Sequence, residues 1–329
     1  MTGIFKQKNP ANIILLLVFG VLIKIPAFFH PYTPVPDNQD AIFYKELLKL
    51  LQPAGKSNPI LYPALAVGLL YVQAIMLNSF INRQRMTNIQ TYYPGMSYLL
   101  LTSLLPEWNY FSAPLIINTF LLFILSAIFR TYNQQDARGA IFNVGLTLGI
   151  GSFIFLPSLS FIVWVILALA IMRPFRLAEW LLCLVGAATP YYFNGVYLFL
   201  TDQWSWAGFW SPVQLALPSI LPTLWLAGSA FLLVMPFLFG GYYVQENLRK
   251  MLIQVRKGWS LLLLYLFAGF LVFFINTASG LENWVLLAVP FAAFHASMYL
   301  YASFRIVPQL FFWLSVGFIL IYQYGGPGW

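Results

Sequence analysis

Charge is the scarcest property of this chain. Of 329 residues only 9 are acidic and 17 basic, so 8% are charged, where a soluble globular protein carries roughly a quarter. With 60% apolar residues and a mean hydropathy of +0.78, that scarcity excludes a water-soluble fold. Cysteine is nearly absent as well: Cys183 has no mate for an intramolecular disulfide and falls inside an apolar run, where it reads as core filling. Histidine occurs twice, as His30 and His295, with no second His or Cys at metal-ligand spacing, so no metal is expected. There is no Walker sequence, no Gly-x-Gly-x-x-Gly after a strand, no Ser/His/Asp spacing and no Cys-x-x-Cys. This argues against an ATP-driven pump and leaves no cofactor to expect. Mid-membrane acids are missing from the second apolar run onward, and with them the usual route for the coupling ion of a secondary transporter. No low-complexity tract, soluble domain or internal repeat is visible.

What the chain has in quantity is apolar sequence in pieces of about 17 to 25 residues, each able to cross a hydrocarbon core of roughly 30 Å as a helix. The pieces do not alternate as β-barrel strands do. Candidate spans fall near residues 12–29, 60–80, 90–106, 110–130, 140–156, 159–174, 178–200, 213–241, 259–276, 283–302 and 307–324. The predicted fold is therefore an all-α polytopic membrane protein, one transmembrane domain over residues 1–329 with about 11 transmembrane helices. The first run, from about Ile13 to Phe29, follows Lys6 and Lys8 as a signal peptide would. It lacks a small-residue cleavage site and reads as a retained anchor.

Orientation follows from the basic residues. With the N-terminus in the cytoplasm, Lys6, Lys8, Arg83, Arg85, Arg130, Arg138, Arg173, Arg176, Arg249, Lys250, Arg256, Lys257 and Arg305 lie inside, which is 13 of the 17. Only Lys45, Lys49 and Lys56 lie outside, and Lys24 falls within the first span. Six of the nine acids, Asp37, Asp40, Glu46, Glu107, Asp202 and Glu282, lie outside; Asp136, Glu179 and Glu246 lie inside. The positive-inside rule thus predicts a cytoplasmic N-terminus and a periplasmic C-terminus, in a bacterial cytoplasmic (inner) membrane. The basic residues form short clusters between apolar runs, so the expected partners are membrane lipids and no nucleic acid. Residues 242–258 read as a basic amphipathic cytoplasmic loop, with Trp259 at the interface. Arg173, Arg176 and Glu179 read as a tight cytoplasmic turn closed by an ion pair.

The exterior loop, residues 30–59, contains "HPYTPVPDNQDAIFYKELLKLLQP". Pro34 and Pro36 keep it extended. From Asn38 to Leu51, Ile42, Phe43, Leu47, Leu48 and Leu51 share one face and Lys45, Glu46 and Lys49 the other, which predicts a helix lying on the outer membrane surface. Asp37 fits its N-cap and Asp40 its third position, a capping box with Asp at both places. A carboxylate held there is also a candidate general base. Lys24, about four residues from the exterior end of its span, either snorkels to the interface or faces inward to bind a lipid phosphate or pair with Asp37 or Asp40. His30 could assist acid–base chemistry, and Tyr44 stands beside the acids as a substrate-binding candidate. In "GAATPYYFNG", Gly186, Pro190 and Gly195 are expected to break the seventh span, either as a simple proline kink or as a discontinuity that opens a cavity near Tyr191, Tyr192 and Asn194. In "TDQWSWAGFW", Trp204, Trp206 and Trp210 anchor at the interface or stack on a sugar. His295, Gln73, Asn78 and Asn118 read as hydrogen-bonded packing residues.

One span, an exterior acidic loop, an amphipathic surface helix and then many spans: this order resembles the polytopic glycosyltransferases of the GT-C class, which use polyprenyl-phosphate or polyprenyl-diphosphate sugars. In their lipid-monophosphate branch an Asp-Glu motif opens the surface helix, and "QDAIFYKELLKLL" aligns with it so that Gln39 takes the Asp position and Asp40 the Glu position. The resemblance implies transfer of a sugar from a polyprenyl-phosphate donor to a periplasmic acceptor. Asp40 or Asp37 would be the base, Lys24 or another cation would bind phosphate, and aromatic residues would hold the sugar. A longer resemblance, carried by "MTGIFKQKNPANIILLLVFGVLIKIP" and "IMRPFRLAEWLLCLVGAATPYYF", is to a family of polytopic inner-membrane proteins from Bacteroidetes. The carotenoid-cleaving label attached to that family requires more iron-binding histidines than the two present. Two other readings stay open: a non-catalytic scaffold or subunit of an envelope or secretion complex, and a flippase for a lipid-linked substrate.

Overall fold

The computed structural model describes residues 2–7, 9–36, 40–205, 209, 223–275, 280–304 and 306–325, and all elements among them are helical. In chain order these are α1 (Ala11–Lys24), α2 (Pro26–Phe29), α3 (Ile42–Ser57), α4 (Leu61–Arg83), α5 (Tyr93–Leu101), α6 (Ala113–Thr131), α7 (Arg138–Ser152), α8 (Phe161–Met172), α9 (Leu177–Leu200), α10 (Leu224–Asn247), α11 (Ile253–Val272), α12 (Ala288–Tyr301) and α13 (Ile306–Gly325). Seven helical segments among the described residues are long and apolar enough to cross a membrane: Leu61–Arg83, Ala113–Thr131, Leu177–Leu200, Leu224–Lys250, Ile253–Val272, Leu281–Tyr301 and Ile306–Gln323. The chain is a multi-pass helical membrane protein.

The remaining apolar runs are helical but shorter than their hydropathy suggested. The first breaks at Ile25, ahead of Pro26. The third reduces to α5, 9 residues that are all buried and span only about 13 Å. The fifth and sixth become α7, with 15 residues, and α8, with 12. What the short helices lack is made up by 3-10 turns. Pro106–Asn109 joins α5 to α6, Leu156–Ser160 joins α7 to α8, and Leu281–Leu287 joins α11 to α12. The structure thus repeats one unit, helix, 3-10 turn, helix, at these three places, the first, second and third hairpins in chain order, and again where Leu248–Lys250 joins α10 to α11, although the sequence shows no repeat.

Connections between elements sort into two ends. At one, Tyr92 N–H donates to Phe5 O (2.8 Å), Asn88 N–H to the Tyr301 hydroxyl (3.1 Å) and Gln254 to Gln84 (3.4 Å), while Lys257 lies over the Tyr132 ring at 5.3 Å. Arg173 is buried there, donating through Nε and Nη2 to Glu179 at 2.7 and 2.8 Å and through Nη1 to the carbonyls of Thr131 and Gln134. The expected Arg–Glu turn is present, and it is the guanidinium's carbonyl partners that make its burial tolerable. At the other end the three 3-10 turns meet the first loop.

Residues 242–258 are helical over most of their length: α10 runs on into the 3-10 turn Leu248–Lys250, and α11 starts at Ile253. Two local expectations are corrected. Trp259 is buried with its ring 5.0 Å from Phe294, away from the interface. The helix α9 runs unbroken through Pro190. Its glycine serves close packing instead. A Cβ at Gly186 would overlap the Phe142 carbonyl of α7, and one at Gly145 or Gly149 of α7 would overlap the Cys183 or Ala187 carbonyl of α9. The Gly-x-x-x-Gly spacing of Gly145 and Gly149 is the signal for such a contact.

Gly145→Ala is accordingly expected to destabilise the protein by about 1–3 kcal/mol, the cost of overpacking against backbone. Gly139→Ala, where no atom lies within 4 Å of the new methyl, is expected to leave the thermal midpoint in detergent unchanged or slightly raised.

Candidate functional site

Lys24 closes α1, and its side chain does not snorkel. It is 0% exposed. Its Nζ donates to Thr102 Oγ1 at 3.0 Å, Ser103 Oγ at 2.9 Å and Asn109 Oδ1 at 2.6 Å. The two hydroxyls can accept because each sends its own proton back along the chain, Thr102 to the Tyr98 carbonyl at 2.9 Å and Ser103 to that of Leu99 at 2.9 Å. An ammonium has three protons to give, and all three are used, so this side chain offers no open face to a ligand and makes no pair with Asp40. The irregular backbone after α5 is satisfied from the far side of the bundle: Gln323 donates to Ser103 O at 2.9 Å and Ser229 to Leu104 O at 2.8 Å. Non-helical backbone survives at membrane depth only when protein covers it in this way.

The turn that Lys24 holds carries Glu107. Trp108 Nε1 donates to Leu281 O at 3.0 Å, which docks the Pro106–Asn109 turn on the Leu281–Leu287 turn, and Glu282 there lies within electrostatic range of both Glu107 and Asp40. Glu107 Oε2 and Asn109 Nδ2 are buried with no hydrogen-bond partner among the described residues. Burial holds the Glu107 carboxyl above the ordinary glutamate range. The aromatic wall is Tyr32 stacked on Tyr110 at 4.1 Å, with Tyr44 donating its hydroxyl proton to Phe111 O at 3.0 Å. Burial first, and the neighbouring carboxylates second, push all three phenols up, so they remain donors. His30 lines a crevice with Tyr32, Asn109 and Tyr110 just large enough for one water molecule.

Asp40 does not take the third position of a helix. α3 starts later than its pattern suggested, at Ile42, with Ala41 at the cap and no side-chain capping bond, so Asp40 precedes the helix. Asp37 lies outside the described residues, as do Trp206 and Trp210. The start of α3 is instead seated on the second hairpin: Phe43 N–H donates to Phe153 O at 2.9 Å. From there a chain of rings leads outward, Phe43 to Phe153 at 5.2 Å, Phe153 to Tyr191 at 4.8 Å, Tyr191 to Phe209 at 6.1 Å and Phe209 to Trp204 at 5.6 Å. Tyr191 also shares a 2.6 Å hydrogen bond with Ser152. Tyr192, 69% exposed, faces away; Asn194 is half-buried, its Nδ2 without a partner among the described residues. The structure therefore brings Asp40 and Tyr44 into range of each other and of Tyr32, sets His30 beside Tyr32 and Tyr110, links Tyr191 and Trp204 to Phe43 through rings, and adds Glu107 and Glu282, which sequence reasoning counted only as exterior charge. Among the described residues no group of three or more His, Cys, Asp or Glu side chains is arranged to hold a metal ion.

No family model, curated protein or solved structure matches the chain.

Lys24→Met leaves the Asn109 carbonyl without its donor and is expected to cost about 2 kcal/mol or more, read as a lower unfolding midpoint in detergent. Glu107 binds its proton more tightly in the folded chain than in the unfolded one, so it lowers stability as pH rises through the ordinary glutamate range toward its raised folded value. Glu107→Gln is expected to exceed the parent midpoint at neutral pH, with the gap closing in acid; thermal scans across a pH series measure this.

Proposed function

We propose that this chain is a membrane glycosyltransferase of GT-C type that moves a sugar from a polyprenyl-phosphate donor to an acceptor at the outer face of a bacterial cytoplasmic membrane. The observation that carries the reading is the meeting of Asp40, Glu107 and Glu282 with Tyr32, Tyr44 and Tyr110 where the first loop docks on the hairpin tips. Asp40 is the base. It takes the proton of the acceptor hydroxyl, whose oxygen bonds to the anomeric carbon while the bond from that carbon to the phosphate oxygen breaks and its electron pair leaves with the lipid phosphate. The Tyr32 and Tyr110 hydroxyls and the ring chain toward Trp204 supply donors and faces for the sugar, while Tyr44 is committed to the Phe111 carbonyl. Lys24 acts as a positioning residue that holds the Glu107 turn, and the cation that meets the phosphate is left to the substrate-bound state.

The accompanying topology has eleven crossings, the N-terminus inside and the C-terminus outside. Its support is that each of the eleven apolar runs meets a helix and that the connections divide between a basic end and an end where acids gather. Kinship with the Bacteroidetes inner-membrane family rests on the sequence resemblance.

Asp40→Asn is expected to lower transfer of sugar from a polyprenyl-phosphate donor by about a hundredfold or more while the protein accumulates in the membrane as the parent does. The readout is glycan transfer by membranes carrying each variant, and undiminished transfer by Asp40→Asn would remove this assignment.

A further inference from the structure

The opposite end of the bundle holds a second site, and it does not depend on the transferase reading. Asn78, in the last third of α4, is only 6% exposed, yet its side-chain carbonyl has no hydrogen-bond partner among the described residues. A buried acceptor left unmet is costly. The neighbouring Asn82 has no such problem, because its amide donates to Thr91 O at 2.8 Å and accepts from Thr91 N–H at 3.1 Å. Asn78 lines a crevice of about 260 Å³ between α1 and α4, room for more than ordered water alone.

The walls state what would fit. Ile13 and Leu16 of α1 and Ile75 of α4 make one side apolar, while Ser79 and Arg83 make the other polar. Arg83 is exposed and forms no ion pair among the described residues, and no acidic residue lines the crevice. One cation, one waiting acceptor and a greasy flank describe an amphiphile with an anionic head and a hydrogen-bond donor of its own. The donor must sit beside a guanidinium, so a hydroxyl suits it better than an ammonium, which would be repelled.

We propose that this crevice binds a glycerophospholipid with a hydroxylated head group, such as phosphatidylglycerol. Its phosphate meets Arg83 in a charge-assisted contact, its head-group hydroxyl donates to Asn78 Oδ1, and its acyl chain follows Ile13, Leu16 and Ile75. Sites of this kind between helices on a basic membrane face are a known mode of lipid recognition.

The test uses the full chain in nanodiscs of phosphatidylcholine with a minor fraction of phosphatidylglycerol, the lipid retained after detergent extraction being counted by native mass spectrometry. The parent is expected to retain phosphatidylglycerol over phosphatidylcholine, and Arg83→Gln and Asn78→Leu each to lower that retention by about tenfold, the worth of one hydrogen bond to a charged or buried group. Arg249→Gln, a basic residue of the same end outside the crevice, is expected to change nothing. Should Asn78→Leu fail to accumulate, Ile13→Trp fills the crevice from its exposed wall and carries the same expectation. Parent-like retention by the crevice variants, an equal loss in Arg249→Gln, or displacement of the lipid by soluble glycerol 3-phosphate would each overturn the proposal: the first leaves only water at Asn78, the second only diffuse attraction, and the third a free phosphate ligand.

Discussion

A fully buried ammonium surrounded by three neutral oxygens fixes the end of this molecule where the first loop docks. Taking a charge out of water is expensive unless its hydrogen bonds are replaced, and Lys24 replaces all of them with Thr102, Ser103 and Asn109. The arrangement is cooperative in a specific way: each hydroxyl accepts from the lysine because it donates to a backbone carbonyl behind it. Removing the lysine would therefore do more than cut a tether. It would leave the turn after α5 held by the long reach of Gln323 and Ser229 and by the Trp108 indole, and that turn carries Glu107.

From this anchor the rest of that end follows by contact. Trp108 joins the first hairpin tip to the third, and Phe43 joins the first loop to the second. The acids that gather there are supplied by three separate segments, 40, 107 and 282, none of which would meet the others without the hairpin tips. At mid-depth a different polar set closes the core: Tyr98 donates to Gln73 at 2.6 Å, and Asn118 reaches the Val285 carbonyl at 2.8 Å. His295 belongs with these, its Nε2 2.8 Å from Leu233 O. Such groups give each helix a rotational setting that apolar packing alone leaves loose.

Apolar run length told where helices lie and little about how long they are. Hydropathy averages over a window, so it cannot separate nine buried helical residues from a full crossing when the flanking turn, "TSLLPEWNY", is itself apolar and its polar atoms are met by distant side chains. Pro190 was read as a break because local rules treat proline alone; in the structure α9 continues through it and packs along α7, whose Gly145 and Gly149 let the two backbones approach. The fate of Lys24 was not legible either. Snorkelling and burial differ by which face of α1 the residue occupies, and that depends on a break at Ile25 and on acceptors some eighty residues away. For the site, Asp40, Tyr44 and His30 were legible because they share one loop. Glu107 and Glu282 were missed, although each lies within two residues of a tryptophan in a short polar interruption, "PEWN" and "LENW", and that shared composition was the available clue.

The three gathered carboxylates pose a problem for a donor that is itself anionic, since like charges near a low-dielectric wall repel strongly. Their environments differ in a way that eases it. Glu107 sits in the buried turn, where desolvation makes it keep a proton longer than an exposed glutamate, while Asp40 lies at the rim of the loop, half-buried and outside any helix. Pairs of carboxyls separated by environment are how acid and base roles divide within one site. Under the transferase reading, the tighter hold of Glu107 and Glu282 on their protons lowers the negative field at the mouth, and Asp40 is the group that accepts. The burial of Glu107 is set by the turn, and the turn by Lys24, so the lysine would govern the chemistry without touching the substrate.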